Sequence, residues 1–368
     1  MILLHVPPLV GCSAALRAAL ELARQFAPLC HPVLVIGPTG VGKSTLARIL
    51  HEWSGRAGDF VSVAGGELVD SLFHNQLFGH EKGSYTGATD QAPGVFERAA
   101  GGTLLLDELQ HWSRDKQAAI LSPLQDARVT RVGGRRAIPT TCRVILASTI
   151  ELERLVQDER LLPDLRYRIG ELVIELPPLA QRRVDIPALA YRALDRERDA
   201  GGAATPVQFD PEALERLLAY EWPGNVRELE RVVQYAVVRA TGHERIDVKH
   251  LPVRVATAQG RQGWTTLNGA ERNEMVTWAL SRSRGGRKVA AALLGVHPNT
   301  IDNHRRRTVP SQPAMASPLF EAPCVVTREK SDNDGHKRQT KTTGARGAGV
   351  SPCDTAPVRS LSPRSETV

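Results

Sequence analysis

Two short stretches of this chain carry residues suited to phosphate chemistry. Gly37-Pro-Thr-Gly-Val-Gly-Lys-Ser44 follows the spacing G-x-x-x-x-G-K-S, in which loop amides and a helix N-terminus cradle phosphate groups. The nucleotide contacts are then expected from Gly37, Pro38, Thr39, Gly40, Val41, Gly42, Lys43, Ser44 and Thr45. Lys43 would reach the β- and γ-phosphates of a nucleotide and Ser44 would hold Mg²⁺. Further on, Gly101-Gly-Thr-Leu-Leu-Leu-Asp-Glu108 is an apolar run that ends in two carboxylates. Asp107 is placed to hold Mg²⁺ through water and Glu108 to polarise an attacking water, which together describe triphosphate hydrolysis. An acidic cap on a helix starting near Ser113 is the structural alternative, and one pair of residues can serve both ends.

A third stretch, Gly79 to Ala88, looks like a tool. Gly83 and Gly87 bracket Ser84, Tyr85 and Thr86, so the backbone can turn sharply and hold an aromatic residue among polar neighbours. Composition alone allows an ordinary surface hairpin here. Its place in the chain, between the two phosphate-handling stretches, argues for a segment driven by the nucleotide site.

These residues need a scaffold, and the surrounding pattern supplies one. Pro32 to Ile36, Phe60 to Val63, Gly101 to Glu108, Arg143 to Ala147 and Leu172 to Leu176 read as short apolar strands of a parallel sheet covered on both faces. Such a sheet gathers its ligands at the C-terminal ends of its strands. Ser148 and Thr149 end one of them, either to sense the γ-phosphate or to make a turn. Ser13 to Phe26 and Thr45 to Glu52 have helical spacing. Beyond Pro178 the chain becomes helical: Asp185 to Arg198, a helix opened by Asp210-Pro211, and another from Trp222 to about Ala240.

The last patterned segment reads as a helix-turn-helix. Ala270 to Ser281 is helical. Arg287 to His304 then gives a small-residue helix, a turn at Gly295 and a second helix begun by Pro298. Val289, Ala292, Leu293, Val296 and Ile301 are expected as its core. Asn299, Thr300, Asn303, Arg305 and Arg306 are expected to face DNA, Asn and Arg being apt for reading base edges. A helical bundle without a DNA role is the alternative, which the flanking Arg282, Arg284, Arg287, Lys288 and Arg307 disfavour.

Composition agrees. In 368 residues, 42% are hydrophobic and 24% charged, as in soluble multidomain proteins, and the net charge of +7 suits a polyanionic partner. No apolar run is long enough for a membrane span. Five scattered cysteines form neither a disulfide framework nor a zinc pattern, so a reducing, cytoplasmic compartment is expected. The organisation expected is a lead-in over 1–30, an α/β ATPase subdomain over 31–178 and a helical lid over 179–254. A linker over 255–266, a DNA-binding domain over 267–308 and a disordered tail over 309–368 follow.

Taken together, these motifs resemble the bacterial enhancer-binding proteins, the AAA+ activators of sigma-54 RNA polymerase, over about residues 8 to 307. Leu77-Phe-Gly-His-Glu-Lys-Gly-Ser-Tyr-Thr-Gly-Ala88 is similar to the family's sigma-contacting GAFTGA loop, with Ser84 for Ala and Tyr85 for Phe. The stretch 101–108 resembles its Walker B, and Trp222 to Leu229 its sensor II segment, with Arg227 in the nucleotide-facing place. Residues 270–307 are similar to its Fis-type DNA-binding end. The resemblance implies a P-loop AAA+ parallel sheet flanked by helices, a helical lid and a helix-turn-helix domain. It also implies a ring, usually a hexamer, on upstream enhancer DNA, in which ATP hydrolysis drives Gly83–Ala88 against the sigma-54 RNA polymerase holoenzyme. Arg168 would be the arginine finger and Thr149 the sensor I residue.

Three positions depart from the family. Ala64 stands where Asn commonly restrains the catalytic Glu, Thr149 where sensor I usually has Asn, and Leu162 at the first of two finger arginines; Arg160 and Arg166 are nearby substitutes. Hydrolysis is still expected, less tightly coupled to sigma contact. A DNA-bound regulator with weak or lost hydrolysis is the alternative, and an AAA+ unfoldase explains neither the loop nor the helix-turn-helix. Too few residues precede the ATPase for a sensing domain, so either a regulatory protein acts in trans or the start lies upstream.

Overall fold

A computed structural model describes residues 9–67, 72–85, 88–201, 206, 208–258 and 267–308, the last five by backbone alone. The expected tail, as well as Thr86 and Gly87 of the loop, lies outside the described residues, as do the side chains of Arg305 and Arg306.

The chain opens with α1 (Ala14–Phe26), capped by Ser13, whose hydroxyl accepts from the Leu16 amide. Then come β1 (Val33–Ile36), α2 (Lys43–Trp53), β2 (Phe60–Ala64), α3 (Phe73–Phe78) and the two-residue strands β3 (Gly79–His80) and β4 (Ala92–Pro93). After α4 (Val95–Arg98) and β5 (Thr103–Asp107), α5 (Arg114–Asp126) leads to a hairpin of β6 (Arg128–Thr130) and β7 (Ala137–Pro139). β8 (Arg143–Ser148), α6 (Leu152–Gln157), α7 (Pro163–Ile169) and β9 (Val173–Glu175) complete the α/β part. The five long-range strands form one parallel sheet in the order β2-β5-β8-β1-β9.

All four residues of β1 and all six of β8 are buried, because helices cover both faces and no polar alternation is needed. One face packs Leu16, Leu46 and Leu50 against Val35, Leu105 and Ile145. The other packs Phe73, Phe96 and Ile120 against Leu34, Leu104 and Leu146. Burying one such side chain stabilises the fold by ~1.5–3 kcal/mol. The buried Arg143 at the start of β8 donates to the carbonyls of Ala27 (2.7 Å) and Phe26 (2.6 Å), satisfying orphan groups at the end of α1.

The lid contains α8 (Ile186–Gly201), β10 (Gln208–Phe209), α9 (Pro211–Ala219), α10 (Asn225–Arg239), β11 (Arg245–Ile246) and α11 (Val253–Ala256). Asp210 caps α9 by accepting from the Glu212 amide at 3.1 Å, with Pro211 in the first turn. Val255, expected to open a linker, is instead buried in the helical turn α11 and belongs to the lid core.

Three further helices follow: α12 (Gly269–Arg282), α13 (Arg287–Leu294) and α14 (Pro298–Thr308). Gly295 ends α13 in a left-handed conformation at φ +65°, as the turn requires. Of the expected core, Ile301 is buried and Leu293 and Val296 pack partly buried against the same core, while Val289 and Ala292 are corrected. Ala290, Ala291, Leu294 and Ile301 are buried, whereas Ala292 and Val289 are exposed. The cause is α12, which packs across α13 from a side the two-helix pattern does not reveal.

Candidate nucleotide site and loop

Gly40 at φ +76° and Gly42 at φ +113° hold the phosphate loop in a form that side chains resist, and α2 begins at Lys43. A Cβ on Gly40 would meet the Gly224 carbonyl at 2.3 Å, so the lid rests directly on the loop. The contact is reinforced by the Arg227 amide donating to Gly40 O (3.2 Å) and Asn225 Nδ2 donating to Thr39 O (3.0 Å).

Around the loop lies a cleft of ≈ 280 Å³. Thr39 to Thr45, Asp107, Glu108, Thr149 and Arg227 line it, so one site gathers most of the residues singled out from sequence. Gly37 and Pro38, expected to contact the nucleotide, do not line the cleft, and their carbonyls accept from Lys43 Nζ at 2.8 and 3.3 Å. Burial pushes the Lys43 ammonium below the ordinary lysine range, Asp107 opposes this, and Arg227 adds to it. A bound polyphosphate would relieve that cost.

Ser44 Oγ donates to Asp107 Oδ2 at 3.1 Å, while Asp107 Oδ1 accepts from the Glu108 amide at 2.8 Å. Hard oxygen donors from the loop and from β5 thus converge, a donor set that fits Mg²⁺. Glu108 has φ 58° and ψ 42°, a left-handed conformation unusual for a residue with a side chain. That twist aims its carboxylate off the strand, where a Cβ on Gly66 would lie 3.7 Å from Oε2. Ala64 is the register partner of Asp107 on the neighbouring strand. Among the described residues, no side chain hydrogen-bonds the Glu108 carboxylate.

The Thr149 amide donates to Gln110 Oε1 at 3.1 Å, and Arg160 Nη2 donates to Gln110 O at 2.6 Å. Arg166 is held by Gly170 O (3.0 Å) and Glu171 (3.1 Å). Both substitutes for the missing finger are therefore tied down within their own chain. Arg168 is exposed and does not line the cleft of its own chain.

In the loop, Gly83 at φ +76° donates its amide to Ala88 O (2.9 Å), and the Ala88 amide donates to Tyr85 O (3.0 Å). Tyr85 is 40% exposed and packs edge-on against His80. A second segment, invisible to the sequence reading, grips the stem. Arg131, after β6, pairs with Glu97 at 2.6 Å and Glu81 at 3.2 Å, and the Glu81 amide donates to Val132 O at 3.0 Å. The hydrogen bonds from Arg131 hold the Glu97 carboxyl below the ordinary range. The sequence showed Arg131 only as one of four arginines (Arg128, Arg131, Arg135 and Arg136) flanking Gly133-Gly134. The cleft also contains Leu9, Val10, Leu189, Arg192, Arg196 and Glu230, which carry no motif.

Residues 9–175 match the family model described as Sigma-54 interaction domain, and residues 180–266 match AAA+ ATPase lid domain. The transcriptional regulatory protein ZraR of Salmonella typhimurium is 37% identical over 298 residues, covering 80% of this chain and 67% of that protein. The Nif-specific regulatory protein of Rhizobium leguminosarum bv. trifolii is 41% identical over 254 residues, 69% of this chain and 70% of the relative. The sigma54-dependent transcriptional activator SfnR of Pseudomonas putida is 38% identical over 295 residues, 77% and 80% respectively. Among solved structures, NtrX from Brucella abortus in complex with ATP superposes with a TM-score of 0.61 at 27% identity, covering 82% of this chain and 69% of that one. The chain belongs to the family of AAA+ sigma-54-dependent transcriptional regulators.

Proposed function

We propose that this chain is a sigma-54-dependent transcriptional activator that hydrolyses ATP in a ring, usually a hexamer in its family, and acts in the cytoplasm. The observation that carries the reading is the meeting of Ser44, Asp107, Glu108 and Lys43 in one cleft. Gly37 to Thr45 and Arg227 bind the nucleotide, Ser44 and Asp107 hold Mg²⁺, and Glu108 takes the proton of the attacking water. Bound Mg²⁺ neutralises the charge of the phosphates. Thr149 senses the γ-phosphate, and Arg168 reaches a neighbouring subunit's site.

The loop Gly83, Ser84, Tyr85, Thr86, Gly87 and Ala88 engages the sigma-54 RNA polymerase holoenzyme. Helices α12–α14 place Asn299, Thr300, Asn303, Arg305 and Arg306 on upstream DNA. Asn299 and Asn303 are exposed, which supports that role. The domain bounds proposed are those read from sequence, with the lid extended through α11.

The test is promoter opening on a sigma-54 promoter with ATP. Wild type is expected to open it, and Glu108→Gln and Thr86→Ala to fail, with Thr86→Ala still hydrolysing ATP. A wild type that binds the upstream site but neither hydrolyses nor opens would favour a DNA-bound regulator acting by occupancy. Ala64, Thr149 and Leu162 are the observations on that side.

A further inference from the structure

A continuous line of polar contacts leaves the phosphate loop and ends on α12. Val41 O accepts from Arg182 Nη2 at 2.8 Å. Arg182 pairs with Asp185 at 3.9 Å, and both side chains are buried. Asp185 accepts from the amides of Cys12 (2.6 Å) and Ser13 (2.8 Å) and from the Ser13 hydroxyl (2.7 Å). Arg17, one turn into α1, donates to Cys12 O at 2.5 Å and pairs with Glu274 of α12. Glu274 is 16% exposed and Arg17 45%, so the pair sits at the rim of the packed surface and is partly screened by solvent.

At the far end, α12 is seated on the lid. Arg282 pairs with Asp195 of α8 at 2.6 Å, its guanidinium lies over the Tyr191 ring, and Trp278 packs against the same ring. Met275, Val276 and Ala279 share one apolar core with Leu214 and Leu217 of the lid. A Cβ on Gly295 would come within 3.0 Å of the Pro211 ring, so the turn between α13 and α14 also rests on α9.

We infer that the relay Val41, Arg182, Asp185, Cys12–Ser13, Arg17 and Glu274 couples phosphate-loop occupancy to the seating of helices 269–308, so that nucleotide state sets their affinity for DNA. This rests on the DNA-binding reading above. Phosphates entering the loop reorient its peptide groups, and Val41 O is one of them. Arg182 is 1% exposed, and its Nε has no hydrogen-bond partner among the described residues, so the carbonyl of Val41 is one of its few polar anchors. A shift of the loop must therefore move Arg182 and Asp185, and with them the start of α1. Close packing transmits such a displacement, because the core beneath cannot yield continuously.

The experiment uses the full chain, a slowly hydrolysed ATP analogue with Mg²⁺, and a fluorescein-labelled mixed-sequence duplex at low salt. Nucleotide is expected to change the duplex Kd of wild type at least about fivefold. By reciprocity, duplex changes nucleotide affinity by the same factor. In Arg17→Ala the factor falls below about twofold while each ligand alone still binds. Arg17→Glu likewise loses coupling, and the swap Arg17→Glu with Glu274→Arg restores it, which separates an ion-pair effect from a folding defect. A wild-type Kd that ignores nucleotide, or coupling that survives Arg17→Ala, overturns the inference. If no form binds the duplex, the DNA reading fails by itself. Hydrogen exchange across Gly269–Arg282 then decides the relay. Nucleotide-dependent protection in wild type that is lost in Arg17→Ala sustains it, and equal exchange sinks it.

Discussion

Ser44 Oγ and Asp107 Oδ2 lie 3.1 Å apart although 63 residues separate them in the chain. One stands at the first turn of α2 and the other at the last position of β5, and the parallel sheet brings the two ends together. Asp107→Asn keeps the shape and removes the charge. Hydrolysis is expected to fall at least about a hundredfold, with a higher Mg²⁺ requirement for the residual rate. An unchanged Mg²⁺ titration would place the metal elsewhere.

Ala64 leaves Glu108 without a side-chain restraint from β2. Ala64→Asn supplies an amide beside Asp107's register position. A restored hydrogen bond to Glu108, worth ~0.5–1.5 kcal/mol, should slow basal turnover between about two- and tenfold. Steady-state phosphate release without sigma-54 reads this directly, and an equal rate would mean that the new amide does not reach Glu108.

Arg131 and Glu97 make the loop stem sensitive to acid. Hydrogen bonding to Arg131 depresses the Glu97 carboxyl below its ordinary 4.5, so the unfolded chain binds that proton more readily. The stabilising contribution is full above pH 4.5 and disappears as pH falls through the depressed value. Glu97→Gln should therefore show faster hydrogen exchange at Gly79–Tyr85 at neutral pH, and less change on acidification than wild type. Identical pH profiles for the two proteins would show that the pair does not hold the stem.

Arg168 is expected to act across a subunit boundary. Arg168→Ala and Glu108→Gln should each be inactive alone, at a loss of about 10³-fold or more for the finger. Mixed, they should recover activity at boundaries where an intact Glu108 meets an intact Arg168. If mixing restores nothing, the finger acts within its own chain or not at all.

Much of this was legible beforehand because strand ends and loop glycines are local signals. The run Thr103 to Asp107 declared both its burial and the carboxylate at its end. What stayed hidden depends on contacts between distant segments. Arg131 looks like surface charge until the β6–β7 hairpin folds onto the loop stem. The left-handed twist at Glu108 has no sequence signature for a residue with a Cβ. The α13 core face was misplaced because a two-helix pattern cannot show where a third helix will lie. Asp185 reads only as the start of a helix and Arg182 carries no signal, and it is the buried amides of Cys12 and Ser13 that give Asp185 a role.

The touch between Gly40 and Gly224 sets a clearance of less than one methyl group between the two halves of the motor. A side chain on Gly40 would act as a doorstop, propping the lid ajar, whereas one on Gly224 would meet Glu228 of its own helix. Nucleotide residence time would then be governed by a wedge and not by phosphate contacts. A single Gly40→Ala change would thus convert a tight-closing jaw into a leaky one while also straining the loop at φ +76°.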